Sequence, residues 1–446
     1  MNKFLPRFAL LAILITAPVV RAENLLDIYK LAQENDATWT AAQANYRANL
    51  EKGTQGRSLL LPSVSFNANY SRNHLEGTTT NLVTGGVLSG NDNYDVTGYA
   101  LQLTQPLFRM SNLAAYSQGK ISVSQADAEL AIARQDLILR AGQAYFDVLA
   151  AQDALEFTRS EKSAIEGQLN LSQRNFAVGN ATVVDVHEAR ARYDLAAADE
   201  VSIENDLQVR REVLATLIGR PAGGLAHLAG KIALPKPDPA DPDQWVKAAA
   251  EQNLSIKVQE YLFAIADEEV NKNRSGHYPT LDLVASHAYL NQGGSVIGIA
   301  TDATTNQVGV QLNVPIYMGG YTSSRVREAV ARLEQSRDNL TLTKRQTARQ
   351  TREAYLAVTS GAVRVQALEQ AQVSSQKALE STLIGYESGV RTGVDVLNSQ
   401  RELYRTKRDL SNARYTWLLN RLRLKAANGT LSEADLNEIN ALLSGV

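Results

Sequence analysis

The side chains that could do chemistry in this chain form a short inventory. There are no cysteines, so disulfides, thiolate metal sites, a cysteine nucleophile and a lipid on an N-terminal cysteine are excluded. The five histidines, at 74, 187, 227, 277 and 287, show no metal-ligand spacing, and no phosphate loop or nucleophile elbow occurs. No enzymatic activity, metal or cofactor is therefore expected. What stands out is a pair of carboxylates in a repeated phrase: Asp185 in "GNATVVDVHEAR" (Gly179 to Arg190) and Asp395 in "GVRTGVDVLNSQ" (Gly389 to Gln400), 210 residues apart. In each phrase a glycine able to take a left-handed turn precedes an aspartate placed to open a helix, where a carboxylate suits the positive end of the dipole. Repetition at that distance implies two copies of one structural unit.

Long helices must carry those turns. The eleven prolines leave two stretches free, Leu107 to Arg220 and Ile316 to Val446. Long helices can live there, because proline breaks helix interiors. The tract "PKPDPADPD" (Pro235 to Asp243) cannot be helical throughout and marks the joint between halves. Val396, Leu403, Leu410, Trp417 and Leu424 fall seven residues apart. Val186, Tyr193, Glu200, Leu207 and Leu214 hold the same phase, with Glu200 as a polar exception. Leu130, Leu137, Ala144 and Ala151 form a third column, and Ala141, Val148 and Leu155 a fourth. Sustained heptads mean helices packed against neighbours over their whole length. A continuous helix from Asn112 to Val178 would extend ~100 Å, too long for a compact globule.

Four short segments alternate instead with period two. "SVSFNANYS" puts Val64, Phe66, Ala68 and Tyr70 on one face, and "NQVGVQLNVPI" does so with Val308, Val310, Leu312 and Val314. "TLDLVASHAYL" aligns Leu281, Leu283, Ala285 and Tyr289, with His287 as a blemish. "YDVTGYALQLTQP" is weaker, its phase switching near Tyr99. At the N-terminus Lys3 and Arg7 precede an apolar run that ends at "VRAEN", the layout of a secretory signal peptide cut after Ala22. No other segment is long and apolar enough for a spanning helix, so any membrane crossing falls to strands. Four strands cannot close a barrel, and open edges are not tolerated in lipid, so strands must be pooled with identical copies. A periplasmic coiled-coil scaffold is the alternative, and it predicts little β structure. A net charge of −2 gives no basic surface for nucleic acid.

The halves align throughout: "LLLPSVSF" with "GHYPTLDL", "LTQPLF" with "LNVPIY", and "QAYFDVLAAQDALE" with "EAYLAVTSGAVRVQALE". Together with the turn phrases, and most densely in "GYESGVRTGVDVLNSQRELYRTKRDLSNARYTWLLNRLRLKAANGTLSEADL", this pattern resembles the TolC family of outer-membrane efflux and secretion ducts. The resemblance implies an α+β membrane protein: a homotrimeric outer-membrane β-barrel, four strands per protomer, continued by a long α-helical coiled-coil tunnel into the periplasm. The expected division is a signal peptide (1–22), a first repeat (23–220; strands about 63–105, long helices about 111–219) and a Pro-rich joint (221–242). A second repeat (243–427; strands about 280–316, long helices about 321–427) and a C-terminal equatorial segment (428–446) follow.

The same resemblance implies roles for the tips. Asp185, Tyr386 and Arg391 match positions that hold the tunnel entrance shut, although Val184 stands where the family pattern has threonine. Asp395 matches an acidic constriction; Asn398 replaces a second aspartate there, and Glu188 occupies the equivalent place in the first half. The turns Phe176 to Asn180 and Tyr386 to Val390, built on Gly179 and Gly389, are the expected dock for a periplasmic adaptor. Further partners implied are an inner-membrane transporter of proton-driven or ABC type and outer-membrane lipid.

Overall fold

The computed structural model describes residues 22–80, 84–230, 232–294 and 300–444. The expected signal peptide lies outside the described residues as far as position 21. One sequence of elements occurs twice. Helices α1 (Leu25–Asn35) and α2 (Ala37–Ser58) lead into strands β1 (Ser63–Thr80) and β2 (Val87–Phe108), then α3 (Met110–Ala177) and α4 (Val183–Ile218). A two-residue strand β3 (His227–Leu228) follows. Then come α5 (Pro242–Gln252), α6 (Leu254–Arg274), β4 (Thr280–Gln292), β5 (Thr301–Asn313), α7 (Tyr321–Glu387) and α8 (Gly393–Ala427). Helix α9 (Glu433–Asn440) and strand β6 (Leu443–Ser444), which pairs with β3, end the described chain. Among the described residues no helix is long and apolar enough to cross a membrane.

The four long strands form one antiparallel sheet in the order β1-β2-β4-β5, so β2 and β4 join the two halves. Cross-strand rows such as Val64–Leu103–Ala285–Val308 put the apolar residues on one face, with Phe66, Tyr70, Val310 and Leu312 beside them and largely exposed. A substantial sheet runs against a purely helical scaffold. Two details differ from the sequence reading. The first hairpin extends to Thr80 and Val87, well past the alternating residues. Strand β5 starts at Thr301 and stops at Asn313, short of Pro315, which cannot donate to a ladder. The apolar phase of β2 switches near Tyr99 as expected: pairing is continuous there, so Tyr99, Leu101 and Leu103 share one face while Tyr94 and Val96 fall on the other. The one register shift against β4 is a bulge between Pro106 and Phe108.

Helix α3 runs 68 residues and α7 runs 67, unbroken because their interiors lack proline. The heptad columns are their seams. Val396, Leu403, Leu410, Trp417 and Leu424 are all buried, as are Leu137, Ala144, Ala151, Ala141, Val148 and Leu155. Small residues let the helices approach: a Cβ added at Gly361 would stand 3.2 Å from Trp417, and one at Gly142 3.2 Å from Leu422. Glu200, the polar exception, is only 17% exposed yet paired, accepting from Arg159 Nε at 2.9 Å and from Lys162 Nζ. The main core lies at the waist, where α1, α9 and the segment between the halves wrap α3, α4 and α8 around Tyr29, Tyr145, Leu214, Trp417 and Leu436. The repeat-equivalent tyrosines both pin that segment, Tyr145 donating to the carbonyl of Ala226 at 2.7 Å and Tyr355 to that of Ala240.

Candidate gate at the helical tips

Each long hairpin reverses through the same local chemistry. At the end of α3, Asn180 N–H reaches back to the Asn175 carbonyl at 2.7 Å while Gly179 sits at φ +81°. At the end of α7, Val390 N–H reaches the Gly385 carbonyl at 2.8 Å while Gly389 sits at φ +77°. These six-residue closures with a left-handed residue are Schellman caps, which satisfy the last carbonyls of a helix and suit glycine. The returning helices begin with capping boxes. Thr182 Oγ1 accepts from Asp185 N–H at 3.3 Å, and Asp185 Oδ2 accepts from Thr182 N–H at 2.9 Å. Thr392 and Asp395 repeat this at 3.2 and 3.0 Å. Both aspartates thus sit at the third position of their helix, where they satisfy orphan donors.

The second tip carries more than the first. At the offset of 210, Tyr386, Arg391 and Gly393 stand where the first copy has Phe176, Ala181 and Val183. Tyr386 Oη accepts from Asn175 Nδ2 at 3.4 Å, a link between the two hairpins. Gly393 is buried; a Cβ there would lie 3.2 Å from Gln168 Nε2 and 3.7 Å from the Tyr386 ring. Arg391 lays its stem over Gly385, with Cγ 2.7 Å from where a Cβ would stand. The Thr392 N–H bond, the Thr392 hydroxyl and the nearby Arg391 charge hold the Asp395 carboxyl below the usual carboxylate range. Both Thr392 donors go to Oδ2 of Asp395.

The expected residues are therefore brought to one end of the molecule but are not bonded to one another within a protomer. Asp185 is engaged with Thr182, and Tyr386 with Asn175. Asn398 Oδ1 accepts from Arg192 Nη2 at 3.5 Å, a second link between hairpins that places a cation beside the expected acidic position. Glu188 lies half-buried one turn into α4 from Asp185. Val184 is exposed.

Sequence reasoning missed the polar seam behind the tip. Gln168 and Ser172 of α3 and Gln400 of α8 are buried, and Gln168 Nε2 and Gln400 Oε1 have no hydrogen-bond partner among the described residues. The one signal available was Gln168, Ser172 and Asn175 at helical spacing on a single face of α3. Buried unpaired amides are costly, so a seam of this kind separates more easily than a dry apolar one. Beneath it, Ile165, Leu169, Ala189, Ala196 and Leu397 form a small separate core. The two hairpins therefore meet at the tip through a few polar contacts.

Comparison with known proteins finds the same architecture. The family model described as "Outer membrane efflux protein" matches residues 28–220 and 245–430. The chain is 34% identical over 443 residues to Outer membrane protein TolC of Vibrio cholerae, covering 99% of this chain and 98% of that one. It is 32% identical over 422 residues to the alkaline protease secretion protein AprF of Pseudomonas aeruginosa, covering 94% and 87%. Among solved structures, the CmeC outer membrane channel of Campylobacter jejuni superposes with a TM-score of 0.78 at 16% identity, covering 94% of this chain and 89% of that one.

Proposed function

Because the chain belongs to the outer membrane efflux protein family and is an outer-membrane efflux or secretion channel, we propose that it acts as a homotrimeric exit duct opened at its helical tips by a docked periplasmic adaptor. The observation that carries this reading is the four-stranded sheet, with one apolar face and both outer edges, β1 and β5, unpaired among the described residues. Lipid forbids open edges, so the wall closes only by adding copies; three copies supply twelve strands in one barrel. The helices give independent support. Helix α4 exposes Leu195, Val201, Val209 and Val213, and α7 exposes Leu342, Leu356, Val363 and Ile384. Apolar flanks of that length on the two outer helices suit a ring in which α4 of one copy lies against α7 of the next.

Below the membrane, the paired hairpins continue the bore and the tips close it. Tyr386, Asp185 and Arg391 hold the entrance, and the Asp395 carboxylates, repeated around the threefold axis, ring its narrowest point. No catalytic chemistry is required of this chain; energy comes from an inner-membrane transporter, and the adaptor couples the two through the turns at Gly179 and Gly389. Drug efflux and protein secretion are both compatible with such a duct, and the similarity to a protease secretion protein supports including secretion.

The absence of cysteine makes the test clean. Single cysteines at Asn180 and Val390, carrying a short photocrosslinker, capture the adaptor in cells, whereas cysteines at the exposed waist position Arg220 do not. Capture from Arg220 but from neither turn contradicts the docking assignment.

A further inference from the structure

The polar face of the sheet is unusual in what it lacks. Alternation places Ser65, Asn67 and Asn69 of β1, Gln102 of β2, Ser286 of β4 and Gln307 of β5 on it. Across 63–73, 94–106, 280–292 and 301–313 this face carries no lysine, arginine or histidine and a single carboxylate, Asp282. Arg72, Asp95, His287 and Asp302 all belong to the opposite face. If the sheet closes as proposed above, on which this inference rests, the apolar face meets lipid and the uncharged polar face lines the bore.

Asp282 does not stand alone. Arg109 forms a two-pronged pair with it, Nε donating to Oδ1 at 2.7 Å and Nη2 to Oδ2 at 2.5 Å. The Asp282 side chain is 9% exposed and that of Arg109 38%. The bulge between Pro106 and Phe108 occurs opposite Asp282 and Leu281, just before Arg109 caps the start of α3. A bulge at the foot of a barrel strand is a device for re-aiming a side chain. The repeat supplies a control. Three residues past the matched prolines Pro62 and Pro279 stand Ser65 and Asp282; three past Pro106 and Pro315 stand Arg109 and Met318. The first copy thus lacks the carboxylate and the second copy lacks the guanidinium. Each member of the pair departs from its own repeat, and the two departures meet at one junction.

We propose that Arg109 determines the ion preference of the barrel bore by neutralising Asp282, so that three balanced pairs ring the junction of barrel and tunnel. The barrel then passes cations and anions alike, and discrimination belongs to the tip. A bare Asp282 ring would instead draw cations and repel anions near the wall of the bore, an effect that salt screens over about 10 Å at 0.1 M and about 3 Å at 1 M.

The test is the reversal potential in planar bilayers under a potassium chloride gradient, in an Asp395→Asn background that removes the tip carboxylate. Arg109→Gln shifts the cation-to-anion permeability ratio at least about twofold toward cations near 0.1 M salt, and less near 1 M. Arg109→Lys, which keeps the charge, and the double variant Arg109→Gln with Asp282→Asn both return the background ratio. An Arg109→Gln pore with an unmoved ratio, or a shift that survives in the double variant, overturns the inference and leaves the duct intact. A background protein that makes no pore overturns the duct reading and this inference together.

Discussion

The pair Arg408–Glu161 joins the two long hairpins midway along their seam and is the sharpest place to perturb them. Arg408 Nη1 of α8 donates to Glu161 Oε2 of α3 at 2.7 Å and approaches Thr158 Oγ1 at 3.5 Å. The Glu161 side chain is 11% exposed and that of Arg408 25%, so neither limiting case applies. Exposed pairs contribute about 0.2–1 kcal/mol, whereas removing one partner of a fully buried pair costs about 3–5 kcal/mol. Partial exposure of the guanidinium leaves about 2 kcal/mol per protomer as the expected cost of Glu161→Leu or Arg408→Met alone. Replacing both, with Glu161→Leu and Arg408→Met, removes the stranded charge and is expected to be near neutral. The assay is a double-mutant cycle on the midpoint of heat-induced unfolding in detergent, with all four proteins at one concentration. Losses that simply add, or single variants within about 0.5 kcal/mol of wild type, would refute the claim that this pair couples the hairpins.

Three further outcomes follow from the tips. Asp185→Ala combined with Tyr386→Phe raises single-channel conductance in planar bilayers, while Asp185→Asn, which can still accept from Thr182, has the smaller effect; unchanged conductance removes the gate assignment. Trivalent cations added at the tunnel end block the wild-type pore, and Asp395→Ala abolishes the block. Because its hydrogen bonds to Thr392 depress the Asp395 pKa, the carboxylate stays charged as pH falls, and block fades only below the ordinary aspartate range near ~4. Finally, Gly389→Val forces a branched side chain into a left-handed turn, at a cost of about 1–2 kcal/mol. Adaptor capture from position 390 should fall without loss of the assembled channel.

The repeat, the strand faces and the tips were legible because each leaves a local mark. Proline brackets the strands, period-two alternation sorts their faces, and glycine followed by Thr-x-x-Asp writes a reversal and a capping box in plain sequence. The upper parts of β1 and β2 were not legible. Beyond Tyr70 the run from Ser71 to Thr80 is mostly polar on both faces, and a strand with two wet faces has no alternation to detect. The heptad column through Glu200 looked flawed until Arg159 and Lys162, 41 and 38 residues away in sequence but adjacent across the hairpin, supplied its partners. Pairs such as Arg109–Asp282, Asn175–Tyr386 and Arg192–Asn398 depend on tertiary register between halves. No spacing rule within one helix or strand encodes them.

The central claim is that the sheet closes only by sharing a wall among identical copies. Light scattering of the purified protein in detergent, with the bound detergent mass subtracted, measures this directly. Three chains per particle, with aggregation when detergent is withdrawn, is the predicted result; a single chain that stays dissolved in plain buffer would contradict it.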